Sequence, residues 1–453
     1  MERLLHYVWQ HRLYPLGPLC TTRGVTVEVV NPGLPNTDAG PDFFNAQVKM
    51  GGQLLVGNVE IHTVSTEWFR HGHDHDPRYD NVILHVVERD DGPVTTQSGR
   101  EVPQVVIGVP AEVEENYNAL MREQAFPPCH RHVEQLDALT VRGWLDALVA
   151  ERLEEKTERI ALLADRLGGD WEATFFATLA RAFGFGLNGD AFERWAERIP
   201  LMAVGKHRDN ALQVEAFFLG QAGMLCGEAW PERLREQVEK DAYFQQLAGE
   251  YRFLAHKFSL EPMDVRLWRY LRLRPQNFPH IRLSQLGRLY VSRQVSLSAV
   301  TEASSAEQLR QLLKTRPADY WQTHYQFGAE SAPSDKWLGR DAADALIINA
   351  VVPTLFAYGR HRRKDALCER ALTLLAELKP EENRITRRWQ GSGLDVSSAA
   401  DSQALIQLRL HYCDRKDCLR CRFGWAYMKA TGIYHTLQEP ENNEKKNTYI
   451  HEP

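Results

Sequence analysis

The run Asp42-Phe-Phe-Asn-Ala-Gln-Val-Lys-Met-Gly-Gly-Gln-Leu-Leu-Val-Gly-Asn-Val-Glu-Ile-His62 carries two strand-like segments around a Gly-Gly pair. Residues 42–50 and 53–64 therefore read as a hairpin turning at Gly51-Gly52. Strand side chains alternate, so Asn58, Glu60 and His62 share one face and Val59 and Ile61 the other. Asp42 and Glu60 lie at similar distances from the turn and should meet when the hairpin closes. Two carboxylates and an imidazole at one end of a hairpin suit Mg²⁺ or Mn²⁺, which take oxygen ligands and keep several waters.

Reading outward, residues 1–14 place Leu4, Leu5, Val8 and Trp9 at helical spacing. Val25–Val30 is a β-branched strand ended by Asn31-Pro32-Gly33. A short helix is expected over Thr66–Arg70, then a His-rich loop, a buried strand at Val82–Glu88 and an edge strand at Val102–Ile107. From about Leu136 the pattern is helical, punctuated by prolines that include Pro231, Pro275, Pro353 and Pro380. The expected fold class is α+β, an N-terminal α/β core followed by a large all-α region. The expected domains are 1–125, 126–438 and a flexible tail, 439–453.

The order of helix, three strands, helix and strand, with Pro41-Asp42 and Glu60-x-His62 at these places, resembles the PD-(D/E)xK nuclease core. His62 stands where that family has Lys. The resemblance implies a restriction-endonuclease-like core in which Asp42 and Glu60 hold Mg or Mn. His62 then positions or deprotonates a water, or ligates the ion itself. It also implies a divalent-metal-dependent nuclease cutting DNA or RNA. The alternatives are an inactive nucleic-acid-binding or assembly protein on the same fold, and a hydrolase of small phosphorylated metabolites. The loop His71-Gly-His-Asp-His-Asp76 follows directly, and His71 and His73 are candidates for phosphate contact.

Near the C-terminus, His411-Tyr-Cys413, Cys418 and Cys421 form a Cys-x4-Cys-x2-Cys pattern. Thiolates at this spacing can grip one ion, and His411 or the distant Cys129 could complete the set. A distant Cys joined to three C-terminal ones is similar to the iron–sulfur arrangement of RecB-like nucleases, which implies a cluster held by Cys129, Cys413, Cys418 and Cys421. Zinc and unligated thiols are the other readings.

The net charge of -6 gives no global attraction for nucleic acid, so any such binding needs local basic patches. Candidates are Lys206-His-Arg208, the run containing Arg272 and Arg274, and Arg360–Lys364, with Trp321, His324 and Tyr325 as stacking surfaces. The first residues lack a signal-peptide h-region, no membrane span is expected, and seven cysteines do not form a secreted framework. The expected location is the cytoplasm. The segments Asn36–Ala46, Gly57–His62, Tyr79–His85 and Ser402–Gln407 together resemble a bacterial family, domain of unknown function 2851. That resemblance implies a shared architecture.

Overall fold

The computed structural model describes residues 1–14, 19–36 and 38–430, so the expected tail at 439–453 lies outside the described residues. The chain is α+β and divides into two compact units. One is Met1–Val141 with the chain from Arg409 onward; the other is Arg142–Leu408. The expected boundary at 125/126 is thus displaced, and the cysteine-bearing stretch leaves the helical region for the sheet-bearing unit. The cause is local hydrogen bonding. Asn116 Nδ2 donates to the carbonyls of Tyr427, Met428 and Ala430, and Lys416 Nζ donates to Glu123 O at 3.1 Å.

The sheet-bearing unit opens with α1 (Glu2–Gln10), whose Leu4, Leu5, Val8 and Trp9 are buried. Its strands are β1 (Leu19–Cys20), β2 (Thr26–Asn31), β3 (Leu34–Pro35), β4 (Phe43–Met50), β5 (Gln53–Val64), β6 (Val82–Arg89) and β7 (Gln104–Val106). They run in the order β1-β2-β4-β5-β6-β7, with β3 added beside β4. β2, β4 and β5 are an antiparallel meander. The turn at Gly51-Gly52 has φ of +56° and +87°, the left-handed values that a tight hairpin demands and glycine adopts without strain. A helical crossover beginning with α2 (Glu67–Arg70) then carries the chain to β6, which pairs parallel to β5. Val59, Ile61, Leu84 and Val86 are fully buried, as central strands covered on both faces require. The two-residue strands β1 and β3 carry too little pattern to be read from sequence.

After α3 (Ala111–Arg122), the helical unit is built mainly on α4 (Ala138–Arg166) and α5 (Trp171–Phe183) with the apolar helices Ala211–Gln221 and Pro279–Ser292. Pro353, expected to break a helix, sits inside one continuous run, Arg340–Arg362. The run widens to a π-turn at Ile347–Val351 immediately before the proline. A shifted hydrogen-bond register is one way to accommodate a missing N–H. This run is long and apolar enough to cross a membrane by length and composition, yet 67% of its apolar window is buried inside the protein. Such burial is what a core helix shows.

Gly57 in β5 marks a close approach between strands. A Cβ there would lie 2.4 Å from Ile83 Cγ2 and 2.7 Å from Asn81 O. Gly57→Ala should therefore force β6 away from β5 and cost about 1–3 kcal/mol in urea unfolding. An unchanged midpoint would show that the strands absorb the methyl group.

Candidate metal centre

The open end of the β4–β5 hairpin is locked by reciprocal bonds between carboxylates and backbone. Asp42 N donates to Glu60 Oε2 at 3.1 Å, and Ile61 N donates to Asp42 Oδ2 at 2.9 Å. A β-bulge between Phe43 and Ala46, with Asn45 at φ +55°, bends β4 at this point. The expected meeting of Asp42 with Glu60 is therefore observed. Glu60 is buried, and its carboxyl is pushed well above the usual range by that burial and then by the Asp42 charge. Burial raises Asp42 as well, while the Ile61 N–H opposes the rise.

Three imidazoles close on this pair. His62 comes from β5, and His71 and His73 from the turn that ends α2. One ring nitrogen from each lies within 4.8 Å of those of the other two. His62 Nε2 is 3.1 Å from His71 Nδ1 and 3.5 Å from Glu60 Oε1, and His73 Nε2 is 3.1 Å from Glu60 Oε1. Two nitrogens sharing an ion at ordinary bond lengths stand roughly 3.0–3.4 Å apart, which fits the His62–His71 spacing. His73 Nε2 is buried and has no hydrogen-bond partner of acceptable geometry. A buried nitrogen left so carries a desolvation cost that a metal ligand would not. Three imidazole nitrogens gathered beside two carboxylates are a donor set that a divalent ion could use.

Beyond these ligands, hydrogen bonds set which nitrogen of His62 is bare. Gln104 Nε2 donates to Gly92 O at 2.9 Å, so its Oε1 faces His85 Nδ1 at 3.0 Å. His85 Nδ1 must then carry the proton, and its Nε2 accepts from His62 Nδ1 at 2.9 Å. His62 Nε2 is left with a free lone pair directed at Glu60 and His71. Burial, then the neighbouring His85, His73 and His71, hold the His62 pKa far below its usual value. Burial thus favours the neutral imidazole, the form that either expected role, accepting a proton from water or ligating an ion, requires. Partner-fixed histidine tautomers are a usual feature of metal sites.

His71 and His73, the candidates for phosphate contact, lie beside His62 and Glu60, and His73 also stacks on Tyr79 at 3.8 Å. His6 on α1 was not foreseen. Its Nε2 is 3.5 Å from Asp42 Oδ2, and burial holds its pKa down. Nothing in the pattern of α1 separates this histidine from a surface residue of an amphipathic helix. Gln104 was equally invisible, since a lone Gln in an edge strand carries no signal.

Cys129, Cys418 and Cys421 are buried and Cys413 is partly so. The Cys129 thiol is pushed up by burial, then by Cys421 and Cys418. Cys413 is pushed up by burial, then by Cys421, Cys129 and Cys418. The four thiols are therefore electrostatic neighbours in one unit, with Cys129, one of the two candidates for a fourth member, beside the C-terminal three. Arg272 and Arg274 are exposed. Trp321 cannot serve as a stacking platform: it is fully buried, and its Nε1 donates to Glu215 Oε1 at 2.7 Å.

A family model described as "Protein of unknown function (DUF2851)" matches residues 2–384, and the chain belongs to that family. No curated protein and no solved structure matches it. The matched span holds the whole carboxylate–imidazole cluster and Cys129, and ends before Cys413.

Two consequences can be measured. Gln104→Leu removes the acceptor that fixes His85, so Mn²⁺ or Zn²⁺ affinity should fall about 10–100-fold in calorimetric titration. Burial pushes the folded-state pKa of Glu60 up to about 9, so at neutral pH folding must protonate a group that is ionised in the unfolded chain, and metal-free stability should rise as pH falls from the folded value towards the unfolded one. Glu60→Gln should accordingly raise the metal-free Tm at pH 7, by about 2–4 °C per kcal/mol of penalty removed, and flatten that pH dependence. A lower Tm in the Gln variant would contradict this account.

Proposed function

We propose that the protein is a divalent-metal-dependent hydrolase of phosphodiester bonds in nucleic acid, built on a PD-(D/E)xK-like core. The observation that carries the reading is the convergence of Asp42, Glu60, His62, His71 and His73 at the open end of one hairpin. The antiparallel meander followed by a helical crossover to a parallel strand also supports it. Glu60 and Asp42 supply oxygens, and the three imidazoles supply nitrogens. This mixed set favours Mn²⁺, Fe²⁺ or Zn²⁺ over Mg²⁺, which prefers oxygen alone. A bound divalent ion supplies a water acidic enough to attack phosphorus near neutral pH. Asp42 is held by Ile61 N–H, and neutral His6 beside it is placed to accept a proton.

Cys129, Cys413, Cys418 and Cys421 are read as the ligands of a second centre, zinc or an iron–sulfur cluster, that ties the 409–430 stretch to the loop at Cys129. The support is their burial and mutual proximity. We place the protein in the cytoplasm, where such thiols stay reduced.

Labelled DNA and RNA incubated with Mn²⁺ should be cleaved, and Asp42→Ala or Glu60→Ala should reduce the rate by more than about 100-fold. Strand binding without cleavage under any divalent ion would replace this reading with the binding or assembly role. For the thiols, anaerobically purified protein should contain zinc, or iron with visible absorption, and should lose it in Cys418→Ser. Metal-free, colourless protein would refute the second centre.

A further inference from the structure

The helical unit encloses a cavity of about 640 Å³ whose lining is unusually cationic. α4 contributes Arg152, Lys156 and Arg159, spaced so that they share one helix face, and α5 contributes Arg181. Only two carboxylates, Glu155 and Glu381, line the same space. Like charges stacked along one helix face repel, so this arrangement opposes folding unless an anion offsets it.

Part of the charge is answered from within. Glu193 pairs with Arg159 at 2.6 Å and with Arg181 at 3.4 Å, Asp190 pairs with Arg181 at 2.5 Å, and Glu155 lies 3.9 Å from Arg152. Lys156 is treated differently. Its Nζ donates to Asn349 Oδ1 at 3.2 Å and Gln403 Oε1 at 2.8 Å. Those same amides turn their NH₂ groups on Glu381: Asn349 Nδ2 reaches Oε1 at 3.2 Å, and Gln403 Nε2 reaches Oε2. Both carboxylate oxygens are thus engaged by amides interposed between Glu381 and the ammonium. Among the described residues Lys156 has two hydrogen bonds, both to neutral amides, leaving one of its three N–H groups for the cavity it lines. Burial, then the Arg152 charge, holds its pKa down to about 7.

Two backbone irregularities fall at this cavity. Asn349 is delivered by the π-turn Ile347–Val351, a wide turn that often marks functional sites. Phe185, in the cavity wall, is held at φ +42°, a strained value for a bulky side chain.

We propose that this cavity is a binding site for a phosphate ester, whose anionic group is seated on Lys156, Arg152 and Arg159. A phosphate monoester carries nearly two negative charges at neutral pH, and Arg152, Lys156 and Arg159 on one helix face offer it a cationic wall. Its oxygens suit guanidinium forks, and the cavity volume is that of small-ligand sites. The ester belongs either to a free phosphorylated small molecule or to the phosphorylated end of a nucleic-acid strand. The inference is independent of the metal centre and stands whether or not that centre cleaves anything.

The test is calorimetric titration of the full chain in chelator, with AMP, inorganic phosphate, and oligonucleotides bearing a 5′-phosphate or a 5′-hydroxyl. At least one phosphate probe should bind saturably, and at least tenfold more weakly to Lys156→Gln and Arg152→Gln variants that melt like the parent. Phosphorylated oligonucleotide binding ten times tighter than both AMP and the 5′-hydroxyl strand assigns the site to strand ends. AMP binding as well as or better than the oligonucleotide assigns it to free phosphate esters. Absence of saturable binding at millimolar probe would overturn the proposal. Should Lys156→Gln misfold, Arg152→Gln decides alone, and unchanged affinity in that folded variant would equally overturn it.

Discussion

A carboxylate in the interior of a sheet is costly unless donors are aimed at it. Asp42 and Glu60 meet that demand reciprocally, each accepting from the backbone N–H of the strand that bears the other or its neighbour. The lock sets how β4 departs from β5, which is why the bulge with its left-handed Asn45 falls there. Everything else at the centre is arranged around these two charges. The turn after α2 delivers His71 and His73, β6 delivers His85, and α1 delivers His6.

The histidines differ in role because their hydrogen bonds differ. His85 is buried between Gln104 and His62 and acts on the centre only through His62. His62 has Nδ1 committed to His85 and Nε2 turned towards His71 and Glu60, whereas His73 Nε2 lies 3.1 Å from Glu60 Oε1. Burial keeps these rings neutral, which preserves the lone pairs a metal requires and removes the cationic character that a lysine would bring to the same place. The result is a group of two carboxylates and three imidazoles, oxygen and nitrogen donors together, at one end of the hairpin.

The helical unit handles buried charge in another way. Lys156 is surrounded by amides, not by a directly paired carboxylate, and Asn349 reaches it from a widened turn of a helix that is otherwise apolar. In the sheet-bearing unit, Asn116 caps the carbonyls at the end of the 422–430 region. That contact keeps three cysteines beside Cys129, hundreds of residues away in sequence.

Period-two alternation and a Gly-Gly turn are local properties, so residues 42–64 disclosed the hairpin and the meeting of Asp42 with Glu60 from sequence alone, though not the bulge that shifts the register at Phe43–Ala46. The α+β class was equally legible, because strand and helix patterns occupy separate parts of the chain. The Cys-x4-Cys-x2-Cys spacing likewise announced a cluster of thiols. Tertiary structure decided what depends on distant approach: the tautomer of His62 through Gln104, the presence of His6, and the return of 409–430 to the first unit. It also decided that His71 and His73 face the carboxylates. Side-chain direction in a short irregular turn is set by packing on Trp68 and Tyr79, not by any period in the sequence. The carboxylate pair was written in the hairpin, but the nitrogens that make it a candidate metal centre were chosen by the fold.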